Sequence, residues 1–190
     1  MEMHKFEKLF VNSAFCSFFH RTLIFPSFFR FINKALAGKA LEIGCGIGET
    51  TILLAEKYSR LMITAVDCDK EQIEKARKNK KLKNVKFQQG DATKLKFKNS
   101  SFDYVIETNT FHHIKNYSKA IKEVYRVVKK NGIFYAMDIS KYIFIWPLRI
   151  FFPPESYFTK KEFIQNLENN GFRVEKSKGS LLFYVAARKV

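Results

Sequence analysis

An open α/β sheet, mostly parallel and covered by helices on both faces, is the fold that this 190-residue sequence predicts. Three observations carry the prediction. First, Leu41-Glu42-Ile43-Gly44-Cys45-Gly46-Ile47-Gly48 is a short apolar strand that runs into alternate glycines and turns straight into a helix pattern from Glu49. Second, strand-like and helix-like segments alternate as far as Asp138. A βαβα order of this kind gives parallel strands buried under helices. Third, the chain closes on two strand-like runs around Gly179-Ser180, the pattern of an antiparallel hairpin.

The first 38 residues read as an N-terminal helical extension. Phe6, Leu9 and Phe10 share one helix face. Asn12-Ser13 can cap a second helix, in which Phe15, Phe18, Phe19 and Leu23 recur at helical spacing. Pro26 restarts the pattern with Phe25, Phe28, Phe29 and Ile32. These faces are expected to pack on the sheet, to act as a lid over the site, or to rest on a membrane surface.

Residues 39–190 then form the main domain. The pattern predicts strand 40–43, helix 49–58, strand 61–66, helix 70–80 and strand 85–89, then strand 102–107, helix 118–129 and strand 132–138 after a turn at Asn131-Gly132. Residues 139–158 read as an insertion. They are dense in aromatics, and Pro147, Pro153 and Pro154 forbid one long helix. A loop beyond the carboxyl end of a central strand lies where such sheets bind ligands, so a pocket wall is one expectation and a cover over the N-terminal helices the other. Thr159 caps a final helix from Lys160 to Asn169, and Gly171 stops it. Strands 172–176 and 181–187 complete the chain.

Composition narrows the classes. Hydrophobic residues make up 46% of the chain, enough for a core. No run of 18 apolar residues occurs, and Tyr142 to Phe152 is broken by Pro147 and Arg149, so no spanning helix is expected. The first residues include Glu2, Lys5, Glu7 and Lys8 with no small-residue cleavage site, unlike a secretory signal. Cys16, Cys45 and Cys68 fit neither a disulfide framework nor a zinc ribbon, which suits a reducing, cytoplasmic setting without a metal. The net charge of +16 raises nucleic acid as a partner. The lysines are scattered, however, and a solvated, compositional surface is the favoured reading.

The glycine corner separates two kinds of site. A dinucleotide fingerprint spaces its glycines G-x-G-x-x-G. Here the spacing is E-x-G-x-G-x-G, with Glu42 two residues before Gly44. Asp67 ends the second strand, about 20 residues on, where a carboxylate can accept from ribose hydroxyls. Gly90-Asp91-Ala92 follows the third strand, and Glu107-Thr108-Asn109-Thr110 follows the fourth, before Phe111-His112-His113. Together these resemble the class I S-adenosylmethionine (SAM)-dependent methyltransferases over about Lys39 to Asp138, nearest to the small-molecule group that includes quinone-biosynthesis enzymes.

The resemblance implies a Rossmann-like, seven-stranded sheet and SAM as cofactor, released as S-adenosylhomocysteine. It implies that Glu42 organises the corner and meets the cofactor's amino group. Gly44 and Gly46 would let the backbone approach the ligand, with Cys45 lining it. Asp67 would bind the ribose, Cys68 would flank the adenine, and Asp91 and Ala92 would meet its edge. Glu107 would lie near the methionine moiety. No catalytic residue is assigned. His112, His113 and Tyr142 are candidates for a base, with Tyr157 and Asn109 as pocket candidates. The histidine pair equally suits a loop-shaping role, and no third ligand stands at metal spacing.

The [N/D]-P-P-[Y/F] signature of enzymes that methylate exocyclic base amines is absent. The favoured activity is methyl transfer to O, N or C of a small apolar or aromatic acceptor. Two alternatives stand beside it: an RNA or protein methyltransferase using the basic surface, and a SAM-binding scaffold without turnover. An NAD-dependent oxidoreductase is disfavoured by the glycine spacing.

Overall fold

In the computed structural model, which describes Ser13, Phe18 and residues 20–79, 81–143 and 158–190, the apolar runs become seven strands. They are β1 (Gly38–Ile43), β2 (Leu61–Asp67), β3 (Val85–Gln89), β4 (Phe102–Thr108), β5 (Val128–Ile139), β6 (Phe172–Gly179) and β7 (Leu182–Lys189). Their order across the sheet is β3-β2-β1-β4-β5-β7-β6. The first five run parallel, and β7 lies antiparallel between β5 and β6. The helices are α1 (Phe25–Ile32), α2 (Glu49–Lys57), α3 (Lys70–Lys78), α4 (Tyr117–Val127) and α5 (Lys160–Asn169). This is the mostly parallel, Rossmann-like sheet with a closing antiparallel pair that the sequence predicts.

Side chains alternate across each strand, so the sheet builds a core on each face. Leu41, Ile43, Val105 and Phe134 meet Ile121 and Val124 of α4 and Phe163 and Leu167 of α5. Ala40, Ile63, Ala65 and Ile106 meet Phe28 of α1, Leu54 of α2 and Ile73 of α3. Thr159 and Glu162 close a reciprocal capping box at the start of α5.

Two local expectations change. In α1 the buried face is Phe25, Phe28, Phe31 and Ile32, while Phe29 is only half-buried and sits edge-on to Tyr58. Phe18 and Leu23 are exposed rather than packed, at 68% and 57%. Leu23 lies in a π-helical stretch, His20–Ile24, in which no residue is buried. The second change is at Asn131-Gly132, which is a kink inside β5 rather than a turn before it. Pairing begins at Val128 opposite Phe102, and the register shifts before Tyr104. Asn131 takes a positive φ of 63°, and a Cβ on Gly132 would lie 2.8 Å from the Asp103 carbonyl. Phe6 to Phe10, Phe15, Phe19 and the insertion residues 144–157, including Tyr157, lie outside the described residues.

Candidate cofactor and acceptor site

The strand order reverses at β1. The chain builds β1, β2 and β3 in one direction, then returns to set β4 against the other side of β1. The carboxyl ends of β1 and β4 therefore flank a switch point, where open α/β sheets leave a crevice for a ligand. Both loops that the sequence singles out, 44–48 and 107–113, start there.

The glycine corner is held from behind. The Gly44 and Cys45 N–H groups both donate to the Val66 carbonyl, at 2.8 and 3.1 Å. Gly44, at φ 72°, is glycine because Thr110 fills the space above it: a Cβ would stand 2.1 Å from the Thr110 hydroxyl oxygen. Gly46 differs. Its φ is 51°, and among the described residues no heavy atom lies within 4 Å of where its Cβ would be, so this backbone faces open space there. Gly48 starts α2 with no side-chain cap, which leaves the first N–H groups of that helix to other partners.

Asp67 ties this corner to β2. Its Oδ2 accepts from Gly46 N–H and its Oδ1 from Asp69 N–H, each at 2.9 Å. Each ionised oxygen has a second acceptor site, enough for a pair of hydroxyls. The Gly90 N–H donates to the Asp67 carbonyl at 2.9 Å, which brings Asp91 alongside. Asp91 Oδ1 is engaged by the Thr93 N–H and hydroxyl, at 2.7 and 2.8 Å. Its Oδ2 is the oxygen left to meet a ligand. Cys68, next to Asp67 in the chain, is exposed, and Ala92 is half-buried.

Glu42 is fully buried, and among the described residues neither carboxylate oxygen has a hydrogen-bond partner. Burial pushes its carboxyl up to about 7, with Thr51 close enough to draw it back in part and Asp67 adding to the rise. Cys45 is buried beside it, and burial raises its thiol well above the ordinary range. That leaves a small apolar packing group, not a nucleophile. Thr51 and Gln72, also buried, have side-chain atoms without partners among the described residues.

Across the switch point, Glu107 is fully buried at the end of β4. Its Oε2 accepts from Thr110 N–H at 3.3 Å, while Oε1 has no partner among the described residues. Burial, then the neighbouring Asp138, hold this carboxyl well above the carboxylate range. Asp138 accepts from Phe111 N–H at 2.8 Å and faces His112 Nδ1 at 2.5 Å. His113 lies against His112, ring centroids 3.9 Å apart, and burial followed by that neighbour pushes it down to about 2. A ring held so low takes no proton at neutral pH. Asn109 is at φ 52° with its N–H on the Met137 carbonyl. Tyr142 is 62% exposed, with Lys141 Nζ 6.0 Å from its ring centroid.

The residues fit a ligand with a cationic end and vicinal hydroxyls. An open Gly46, a buried Glu42 with no partner and a buried Glu107 with Oε1 unpaired, both among the described residues, and a half-buried Asp67 with spare acceptor sites are the observations that say so. Among the described residues, no three His, Cys, Asp or Glu side chains gather as a metal would need. No described helix is long and apolar enough to cross a membrane. Sequence reasoning missed Thr110 and Asp138. A signal for Asp138 existed: an acid ending the apolar run Phe134 to Met137 must find partners, because a buried charge is costly alone.

Comparison with known proteins agrees with the fold. The family described as a methyltransferase domain matches residues 36–183. The demethylmenaquinone methyltransferase of Staphylococcus epidermidis is 32% identical over 112 residues, which cover 58% of this chain and 46% of that protein. The uncharacterised methyltransferase YcgJ of Bacillus subtilis is 36% identical over 103 residues, 53% of this chain and 40% of its own length. The chain thus spans about half the length of the curated relatives it matches. In fold, it superposes on PH0226 from Pyrococcus horikoshii OT3 with a TM-score of 0.80 at 22% identity, over 100% of both chains.

Proposed function

We propose, from the premise that this chain belongs to the methyltransferase domain family matched across residues 36–183, that it moves a methyl group from SAM to a small apolar or aromatic acceptor. The observation that carries the reading is the β1/β4 switch point. There an open glycine backbone meets the buried carboxyl groups of Glu42 and Glu107, which have oxygens unpaired among the described residues. SAM presents an ammonium and two ribose hydroxyls, donors that the oxygens of Glu42, Glu107 and Asp67 are suited to accept.

In this reading Asp67 takes the ribose hydroxyls. Asp91, through Oδ2, takes the adenine amino group, with the Ala92 N–H at the ring edge and Cys68 beside it. Glu42 and Glu107 face the amino-acid end, and Gly44, Cys45 and Gly46 form the floor. When bound, SAM supplies an electrophilic methyl group on a positively charged sulfur. The chain's part is to hold the partners together and exclude water, which is worth on the order of 7–11 kcal/mol. The quinone named in the Staphylococcus relative supports an aromatic acceptor, as do the aromatics of residues 139–158.

Calorimetric titration with SAM and S-adenosylhomocysteine, on wild type and Asp67→Ala, tests the cofactor assignment. Wild type should bind both. The variant should lose roughly tenfold or more, the loss expected from removing charge-assisted hydrogen bonds. A folded wild type that binds neither ligand would overturn the reading.

A further inference from the structure

Asp91 and Ala92 lie on a short span of chain with two fixed ends. At one end the Gly90 N–H donates to the Asp67 carbonyl at 2.9 Å. At the other, Leu95 is gripped from α4 through both of its backbone polar groups. Its N–H donates to Glu123 Oε2 and its carbonyl accepts from Arg126 Nη2, each at 2.8 Å. Four residues, Asp91 to Lys94, stand between the two ends. The Leu95 side chain is buried in the core beneath α4, but an apolar contact carries no direction. The two backbone hydrogen bonds supply the direction.

Arg126 employs all five of its N–H groups here. Nε and Nη2 meet Glu123 Oε1 and Oε2, at 2.8 and 2.7 Å, and Nη2 also reaches the Leu95 carbonyl. Nη1 donates to the Phe97 carbonyl at 2.6 Å and to Asn99 Oδ1 at 3.0 Å. The Arg126 fork holds the Glu123 carboxyl below the ordinary range, so the group that accepts from Leu95 is ionised. The N–H groups of Ser100 and Ser101 follow onto the Arg126 and Val127 carbonyls, at 2.9 and 2.7 Å. Among the described residues, the other hydrogen bonds of residues 93–99 are turns inside the same loop. A lysine at 126 would keep the charge, but its three donors sit on one nitrogen and cannot span Glu123, Leu95 and Phe97 together.

We propose that Glu123 and Arg126 are positioning residues of the cofactor site: through Leu95 they set the pose of Asp91, and with it the preference for a purine that carries an amino group. This rests on the SAM reading above, in which Asp91 Oδ2 takes the adenine amino group. Oδ1 is already held by Thr93, so the aim of Oδ2 follows the aim of the loop. An amino group donates to that oxygen, whereas a ring carbonyl in its place only accepts and is repelled. A loop released at Leu95 lets Asp91 turn away. Asp67 is fixed separately, by the N–H groups of Gly46 and Asp69, so the ribose end keeps its contacts.

The test is calorimetry on the full chain with S-adenosylhomocysteine and with its analogue bearing a carbonyl in place of the adenine amino group. Wild type should favour the amino form by roughly tenfold or more, the worth of a hydrogen bond to a charged group. Arg126→Lys and Glu123→Gln should cut that preference to about threefold or less. Arg188→Lys breaks a similar fork, whose partners are Glu175 and the Asn131 carbonyl. It shares no partner with Arg126, so it should lower Tm and leave the preference within about twofold. A folded Arg126→Lys or Glu123→Gln that keeps the wild-type preference overturns the proposal, since a merely structural pair would lower Tm alone. So does fast hydrogen exchange at the Leu95 N–H of wild type, a measurement that needs no variant to fold. Wild type that binds neither ligand, or both equally, sinks the cofactor reading instead.

Discussion

Replacing two glycines of the same corner by alanine should give two different results. At Gly44 the new Cβ meets Thr110 at 2.1 Å from Oγ1 and 2.7 Å from Cβ, and the backbone is at φ 72°. Left-handed backbone costs a non-glycine residue about 1–2 kcal/mol. Forcing an extra carbon into a filled site costs about 1–3 kcal/mol more. Gly44→Ala should therefore lose about 2–5 kcal/mol. At Gly46 the backbone term is similar, but the Cβ meets nothing within 4 Å among the described residues, so the loss should stay near about 1–2 kcal/mol. For a domain of this size, 1 kcal/mol moves Tm by about 2–4 °C. Thermal and urea unfolding of both variants measure the difference. Adding Thr110→Gly to Gly44→Ala should recover the packing part, because the two side chains compete for one space. SAM titration should show the reverse ranking per unit of stability lost, with Gly46→Ala the more damaging to binding, since its methyl projects where a ligand would lie. Equal destabilisation by the two substitutions, or no recovery in the double variant, would refute the reasoning.

Two further outcomes follow from single side chains. Glu42 has a folded value of about 7 against an ordinary 4.5, so between those pH values the folded state holds a proton that the unfolded chain has released. Stability from this group is thus full below pH 4.5 and falls as pH rises to 7, by about 3 kcal/mol. Glu42→Gln should raise Tm at pH 8 and leave it unchanged at pH 4.5; a uniform shift at both pH values would contradict the assignment. Thr159→Ala removes the cap of α5 and should cost about 1 kcal/mol in urea unfolding.

Local signals were the legible ones. Thr159, the glycines, Asp67 at a strand end and the Lys160–Asn169 helix depend on neighbours within a few residues, and a sequence displays such neighbours directly. Less legible were pairings across the sheet. Gly44 reads as a ligand-approach glycine, yet its empty Cβ position is taken by Thr110, 66 residues away. The histidine pair reads as a loop feature. Its partner Asp138 lies 26 residues on and could be joined to it only once β4 and β5 were known to be adjacent. Phe31 was not picked out in α1, whose buried face it shares with Phe28 and Ile32, because apolar residues occupy most of that helix.

The seating of α1 bears on how the chain is made. Ser27 shares a 2.6 Å hydrogen bond with the hydroxyl of Tyr184, 157 residues later, and Lys176 donates to the Phe31 carbonyl. Phe28 and Phe31 pack on the same Tyr184 ring. A ribosome adds about 5–20 residues per second, so this helix emerges roughly 8–30 seconds before the strand that covers it. During that interval its phenylalanines have no native partner in β7. Nascent chains of this protein should therefore engage hold-type chaperones early, and release should coincide with completion of the last strand.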